Sequence, residues 1–188
     1  MFISGILTFG GPPLTYTTWN PSDKAGGYTL TTGNLTATLT GGGGWFGLRS
    51  IIAKSAGKWF WEARLTSNPN GNARIGIANA TYALGSDLGV NANSIGYDNG
   101  GTYRFNGTSA GGKATIAVND YVGIAYDAGA GTVTFYKNGA SQGQCTQTLS
   151  GTIYAAACLF SGGAWVANFG ASAFQYSVPG GYNSGLYT

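Results

Sequence analysis

The stretch KWFWEARL, residues 58–65, decides the fold class. Trp59, Trp61, Ala63 and Leu65 alternate with Phe60, Glu62 and Arg64. A period of two puts the first set on one face of a β-strand and the second set on the other. Two tryptophans on one face bring large apolar area to an inner surface, each able to bury about 150–250 Å². Working outward, Ser55-Ala56-Gly57 turns into this strand, and Ser67-Asn68-Pro69-Asn70-Gly71-Asn72 leaves it as a loop of strong turn formers.

Similar short patterns fill the rest of the chain. Tyr28–Leu30 and Leu35–Leu39 flank the turn Thr32-Gly33-Asn34. Further strands are expected at Leu48–Ile52, Arg74–Ala78, Ser94–Tyr97, Thr102–Phe105, Lys113–Val118, Tyr121–Tyr126, Thr132–Tyr136, Ile153–Phe160 and Trp165–Phe169. Asn99-Gly100, Asn106-Gly107 and Asn138-Gly139 read as hairpin turns. One helical turn is expected within Ala80–Gly89, and nothing keeps a helical period over ten or more residues. This spacing of short strands predicts an all-β, antiparallel two-sheet sandwich. It occupies residues 19–182, between an apolar N-terminal arm (1–18) and a short tail (183–188).

Composition narrows the chemistry. Of 188 residues, 34 are glycine and 8% are charged, while 14% are aromatic and the net charge is +3. Aromatic content this high with so little net charge argues against disorder. With no histidine, Ser-His-Asp and Cys-His nucleophiles, His-zinc sites and imidazole switches are excluded. The nine cations are spread along the chain, so no nucleic-acid partner is expected. No apolar run reaches the ~18 residues of a membrane span. The apolar start has no leading cation and is broken by Gly5, Gly10 and Gly11, so it does not read as a secretory signal. Cys145 and Cys158 read as buried free thiols, with a single bridge between adjacent strands as the alternative.

The acids offer little for catalysis. Glu62, with Lys58 and Arg64 in its strand, reads as a cross-strand salt bridge. Asp120 and Asp127 read as turn or cap residues. Asp98-Asn99-Gly100 is a thin donor set for Ca²⁺. The run Gly41–Gly44 lacks the Lys-Ser or Lys-Thr and the helix start of a phosphate loop. No catalytic residue, metal or cofactor is expected.

The order of the motifs is more informative than any one of them. GKWFWEARL (57–65), RIGIA (74–78), Gly96-Tyr97-Asp98, DYVGIAYD (120–127), TVTFYKNG (132–139), Val166–Gly170 and Pro179–Tyr182 together resemble a SPRY domain. The resemblance implies a bent sandwich of concanavalin A-like type and a binding module, with a partner site on loops at one rim. The matching loops run Gly43–Gly47, Asn68–Asn72, Tyr82–Gly89 and Ser161–Trp165. They nominate Trp45, Phe46, Asn70, Asn72, Tyr82, Leu84, Ser161, Gly162, Gly163 and Trp165 as contact residues. For the aromatic and apolar ones, plugging the open end of the sandwich is the competing role.

The opening Trp19-Asn20-Pro21-Ser22-Asp23-Lys24 is similar to SPRY-containing virion proteins of tailed bacteriophages and prophages. That likeness implies a protein assembled in bacterial cytoplasm and carried on a particle, as adhesin or decoration protein, in many copies. Its partners would be other virion proteins, or a host surface protein or glycan. In the arm, Phe2, Ile3, Ile6, Leu7 and Phe9 pack on the chain's own sandwich or anchor it to a neighbour. Two other classes remain. One is a polysaccharide-degrading enzyme using the Tyr103-Arg104 dipeptide, and the other is an intracellular peptide-binding adaptor.

A type I′ turn requires φ > 0 at both central residues. Gly139→Val is therefore expected to lower the thermal unfolding midpoint, and an unchanged midpoint would refute the turn.

Overall fold

The computed structural model describes residues 12–188. Phe2, Ile3, Ile6, Leu7 and Phe9 of the expected anchor lie outside the described residues. Fifteen strands form two sheets among those that are described. In chain order they are β1 (Trp19–Lys24), β2 (Tyr28–Thr31), β3 (Thr36–Leu39), β4 (Trp45–Lys54), β5 (Lys58–Ser67), β6 (Ala73–Asn79), β7 (Ser94–Asp98) and β8 (Thr102–Phe105). There follow β9 (Thr108–Ala110), β10 (Tyr121–Asp127), β11 (Thr132–Lys137), β12 (Ala140–Gln144), β13 (Ile153–Phe160), β14 (Gly163–Asn168) and β15 (Asn183–Ser184). One sheet has the order β1-β4-β13-β6-β7-β8-β9. The other has β12-β11-β10-β5-β14-β3-β2, with β15 also paired to β5. All pairings are antiparallel except the parallel contact of β15. The expected all-β sandwich is what the chain forms.

The inner faces meet in one core. Trp61 and Leu65 of β5, Val133 and Phe135 of β11, Tyr126, Tyr97, Trp19, Trp165 and Phe169 are all buried in it. The Asn-Gly turns form as read at two places. Asn138 and Gly139 have φ of 48° and 79°, and Asn106 and Gly107 have 48° and 72°. At Asn99-Gly100 the loop has three residues instead. Asp98 pairs with Thr102, and Gly101 takes the positive φ of 83°, as in a type I turn closed by a left-handed residue.

Other expectations fail for physical reasons. Ala80–Gly89 contains no helix. Tyr82, Ser86 and Val90 each donate to the carbonyl three residues back, giving successive turns. Lys113–Val118 forms no strand despite its alternation. Gly112 turns the chain at φ 78°, and Lys113 and Ile116 donate to the carbonyls of Gly101 and Asn99 instead of entering a ladder. Trp59 does not share the core with Trp61. It lies half-buried at the core margin, donating to the Ala56 carbonyl at 2.7 Å, with Lys54 Nζ 3.7 Å from its ring centroid.

Both sheets are also covered on their outer faces, by the chain's own irregular segments. Residues 80–93 lie across the seven-stranded sheet over Gly47, Ala78, Gly96, Ala156 and Cys158. Tyr82, Leu88, Ala78, Ala156 and Cys158 make a second buried cluster there. Only small residues allow this approach. A Cβ at Gly47 would stand 2.5 Å from the Tyr82 hydroxyl, and one at Gly96 would stand 2.8 Å from the Leu88 carbonyl.

The eight-stranded sheet is crossed by residues 170–182. Phe174 packs edge-on to Phe60 at 5.1 Å. Glu62, which is 1% exposed, is not in a salt bridge. Its two carboxylate oxygens accept the backbone N–H groups of Gln175 and Tyr176 at 2.8 and 3.0 Å. Burial raises its pKa, and the two donors pull the other way. The chain then returns to pair β15 with β5, and Leu186 enters the core. Thr15 and Thr17 bond to the backbone of Thr188 and Leu186.

A Cβ at Gly76 overlaps the Ile95 carbonyl across the β6–β7 ladder, whereas one at Gly26 meets nothing within 4 Å. Gly76→Ala is expected to cost about 1–3 kcal/mol in chemical denaturation. Gly26→Ala serves as the comparator and should change stability little.

Candidate functional site

Three of the nominated loops, Gly43–Gly47, Asn68–Asn72 and Ser161–Trp165, come together at one end of the sandwich because the strands feeding them are neighbours, and the fourth, Tyr82–Gly89, leaves β6 at the far end and reaches them across the face of the sheet. Trp45 opens β4 and pairs with Phe160 at the end of β13. Ala73 opens β6 beside Leu159. The loops are then cross-braced by hydrogen bonds. Asn70 Nδ2 donates to the Ser161 carbonyl at 2.6 Å, and Phe160 N donates to the Asn72 carbonyl at 3.0 Å. Ser161 N donates to the Gly44 carbonyl at 3.1 Å, and Gly44 N donates back to Ser161 Oγ at 3.3 Å. Gly47 N reaches the Leu84 carbonyl at 2.6 Å. Ser161, Gly162 and Gly163 all have positive φ, the turn that brings β13 back as β14.

Asn99 is a brace that sequence reasoning missed. Its amide oxygen accepts from Ala73 N at 2.9 Å, and its Nδ2 donates to the Gly71 carbonyl at 2.9 Å. An Asn-Gly pair signals a turn and carries no mark of such a bridging role.

The nominated side chains divide by exposure. Asn70 and Asn72 are exposed, and Trp45, Phe46, Leu84 and Ser161 are half-buried. Trp165 is fully buried in the main core, because β14 begins at Gly163 and carries it inward. Tyr82 is 2% exposed. It fills the space above Gly47 and donates to the Ser86 carbonyl at 2.6 Å. Gly162 and Gly163 are buried as well. These four shape the rim from beneath and are not open contact residues.

Beside the rim lies a row of charges that the sequence did not reveal. Arg74 sits with its guanidinium carbon 4.4 Å from the Trp45 ring centroid, paired to Asp87. Asp98 is its cross-strand neighbour and holds Arg104 at 2.8 Å. Beneath them, burial pushes the Cys158 thiol up to about 12. Cys158 and Cys145 are both buried and unpaired.

Every acid is committed. Asp23 pairs with Arg49, Asp120 with Lys137 and Asp127 with Lys58. Asp120 also accepts from Ala117 N, and Asp127 from Gly129 N and Ala130 N, as turn residues do. These bonds hold both carboxyls below their usual range. Asp98 faces a guanidinium, and no group of three or more metal-ligating side chains occurs among the described residues. The Tyr103-Arg104 pair is split across its strand. Tyr103 points into the core and donates to the Gly143 carbonyl, while Arg104 points out to Asp98.

The sandwich thus carries braced loops at one end, and its carboxylates are all held by ion pairs or backbone donors within the chain. The chain belongs to the SPRY domain family, whose model matches residues 58–172. SPRY domains mediate protein–protein binding. The fold is similar to the SPRY domain of human HERC1, with a TM-score of 0.69 and 16% identity over 79% of this chain and 96% of that one. It is similar to another human SPRY domain, with a TM-score of 0.67 and 16% identity over 78% of this chain and 98% of that one. It also resembles part of stonustoxin, with a TM-score of 0.65 and 18% identity over 82% of this chain and 27% of that one. No curated protein matches the chain.

Removing one partner of a buried ion pair leaves an uncompensated charge. Asp87→Ala is expected to cost about 3 kcal/mol in urea unfolding, because Arg74 is then stranded. Adding Arg74→Met should recover most of that loss.

Proposed function

We propose that this chain is a non-catalytic recognition module that holds a protein partner through the braced rim, carried on a phage or prophage particle as an adhesin or decoration protein. The observation that carries the binding surface is the bracing itself. Asn70, Ser161, Gly44, Asn72 and Asn99 fix four loops to one another, so little loop entropy remains to be lost on binding. Exposed Asn70 and Asn72 offer polar groups beside the half-buried Trp45 and Leu84, a mixture suited to a protein surface. One face of Trp45 is already stacked on Arg74, which favours a protein over a sugar ring as the ligand.

The particle setting is supported by the Trp19–Lys24 opening and by a chain with 8% charged residues, since a free monomer normally relies on surface charge for solubility. An enzymatic reading finds no support in the split Tyr103-Arg104 pair.

The test is photo-crosslinking from residue 72, with residue 26 as the comparator site. The expected result is a discrete protein adduct from position 72 alone, lost when Trp45→Ala and Asn70→Ala are combined. No adduct, or the same adducts from both positions, counts against the rim. Labelling of the chain in electron micrographs of purified particles tests the setting.

A further inference from the structure

Away from the rim loops, an edge of one sheet and an edge of the other come together. The strand β9 is the outermost strand of one sheet and β12 of the other. Between them lies an open cleft of about 270 Å³, lined among others by Tyr103, Phe105, Ala110, Lys113, Cys145 and Gln147. Tyr103 and Cys145 are the last buried residues of the core on this side, and Phe105 is half-buried against it. The cleft is open and its lining mixed, with Tyr103, Phe105, Ala110 and Cys145 forming an apolar seat among Thr, Ser, Gln and Lys side chains.

The edge beside the cleft lacks the usual protection. Natural edge strands are blunted by charge, proline or a covering segment. The opposite edge of the same sheet, β1, carries Pro21, Asp23 and Lys24. In contrast β9 is Thr108-Ser109-Ala110, all exposed, with neither charge nor proline of its own; the one cation at it, Arg104, donates to Ser109 Oγ at 2.7 Å on the face away from Thr108 and Ala110. The β12 edge is partly bridged, by Ala114 N donating to Gln142 Oε1 and by Tyr103 donating to the Gly143 carbonyl. Of the two, β9 is therefore the edge left for another strand. Thr108 and Ala110 pair with Phe105 and Tyr103 and so share their cleft-side face.

The charges say what that strand carries. Five of the nine cations are held by the five aspartates. Lys24 and Lys54 donate to the carbonyls of Tyr28 and Tyr187. Arg64 rests over the Tyr121 ring on the other sheet. Lys113 lies 4.9 Å from the Tyr103 ring centroid. It has no ion pair among the described residues, and it is the sole charge lining the cleft.

We propose that β9 accepts an extended peptide segment of a partner protein as an added strand. One apolar side chain of the segment fills the cleft over Phe105 and Tyr103, and an acidic residue two positions away, on the same face, pairs with Lys113. Strand addition supplies main-chain hydrogen bonds, and alternate side chains supply the choice of sequence. The chain's own residues 1–22 contain no acid and do not meet this description.

The test is selection of a random heptapeptide library on the full chain, followed by anisotropy titrations with the enriched peptides. The expected result is enrichment of an apolar residue spaced two from Asp or Glu. Binding should weaken at least tenfold in Lys113→Glu and recover when the peptide's acid is exchanged for Lys. Ala110→Trp, an exposed position whose side chain would occupy the cleft, should abolish it, and Asn70→Ala at the rim should leave it unchanged. Failure to enrich such a pattern, equal binding by Lys113→Glu, or loss in Asn70→Ala overturns the proposal. So does displacement of the peptides by a synthetic copy of residues 1–11, or an oligomer of the chain that Ala110→Trp dissociates.

Discussion

The structure depends on how closely irregular backbone can approach the outside of a sheet. Residues 80–93 lie over β4, β6, β7 and β13 because Gly47 and Gly96 present no side chain there, and Ala78 and Ala156 present only a methyl. Ordering a segment of this length costs about 1–2 kcal/mol per residue in backbone entropy. Burial of Tyr82 and Leu88 opposes that cost. So does Arg49, which donates to the Asn79 and Tyr82 carbonyls at 2.8 and 3.1 Å while held by Asp23. With the cover in place, Arg74 and Asp87 are brought together, Trp45 gains its stacking partner, and Leu84 offers the carbonyl that ties the first rim loop. The rim is thus a product of the cover more than of the strands. On the other sheet Glu62 does a comparable job, drawing residues 170–182 across Phe60 by two backbone hydrogen bonds.

Much of the scaffold was legible in the sequence because its signals are local. Alternation in residues 58–65, 132–136 and 153–160 marks strands with one face in a core, and Asn-Gly pairs mark tight turns. Elements whose partners are distant in sequence were not legible. Lys113–Val118 alternates like a strand, yet Ile116 is buried while Val118 is 47% exposed. Its backbone is claimed by the Asn99–Gly101 loop, through Lys113 N and Ile116 N. The strand β12, with Ala, Ser, Gln and Gly, has no pattern to read and exists because β11 offers it an edge. Trp165, next to two glycines, looked like a loop aromatic until β14 proved to begin at Gly163. Glu62 looked like one half of an ion pair because cations flank it in the chain, but its partners are amides 113 and 114 residues away.

The same distinction governs the two proposed surfaces. Rim loops could be nominated from a family resemblance and from turn residues, although four of the ten nominated side chains serve beneath the surface. The β9 cleft had no sequence signal, since it arises where two sheet edges end near each other. One surface is held by loop-to-loop hydrogen bonds, the other by the end of the hydrophobic core. The two proposed surfaces share no residue.

The way the few charges are spent has a consequence for how the molecule meets changes of acidity. No imidazole is present. The Asp120 and Asp127 carboxyls are held low by their donors, and the Cys145 and Cys158 thiols are raised by burial. An imidazole titrates near 6.5 and a free thiol near 8.5 in model peptides, so the groups that ordinarily change charge around neutrality are missing or displaced from it. Glu62 is the exception, since burial moves its carboxyl upward; of these three carboxyls it is the first that acidification would neutralise, so the strap it draws across Phe60 is the part of the sandwich most exposed to acid.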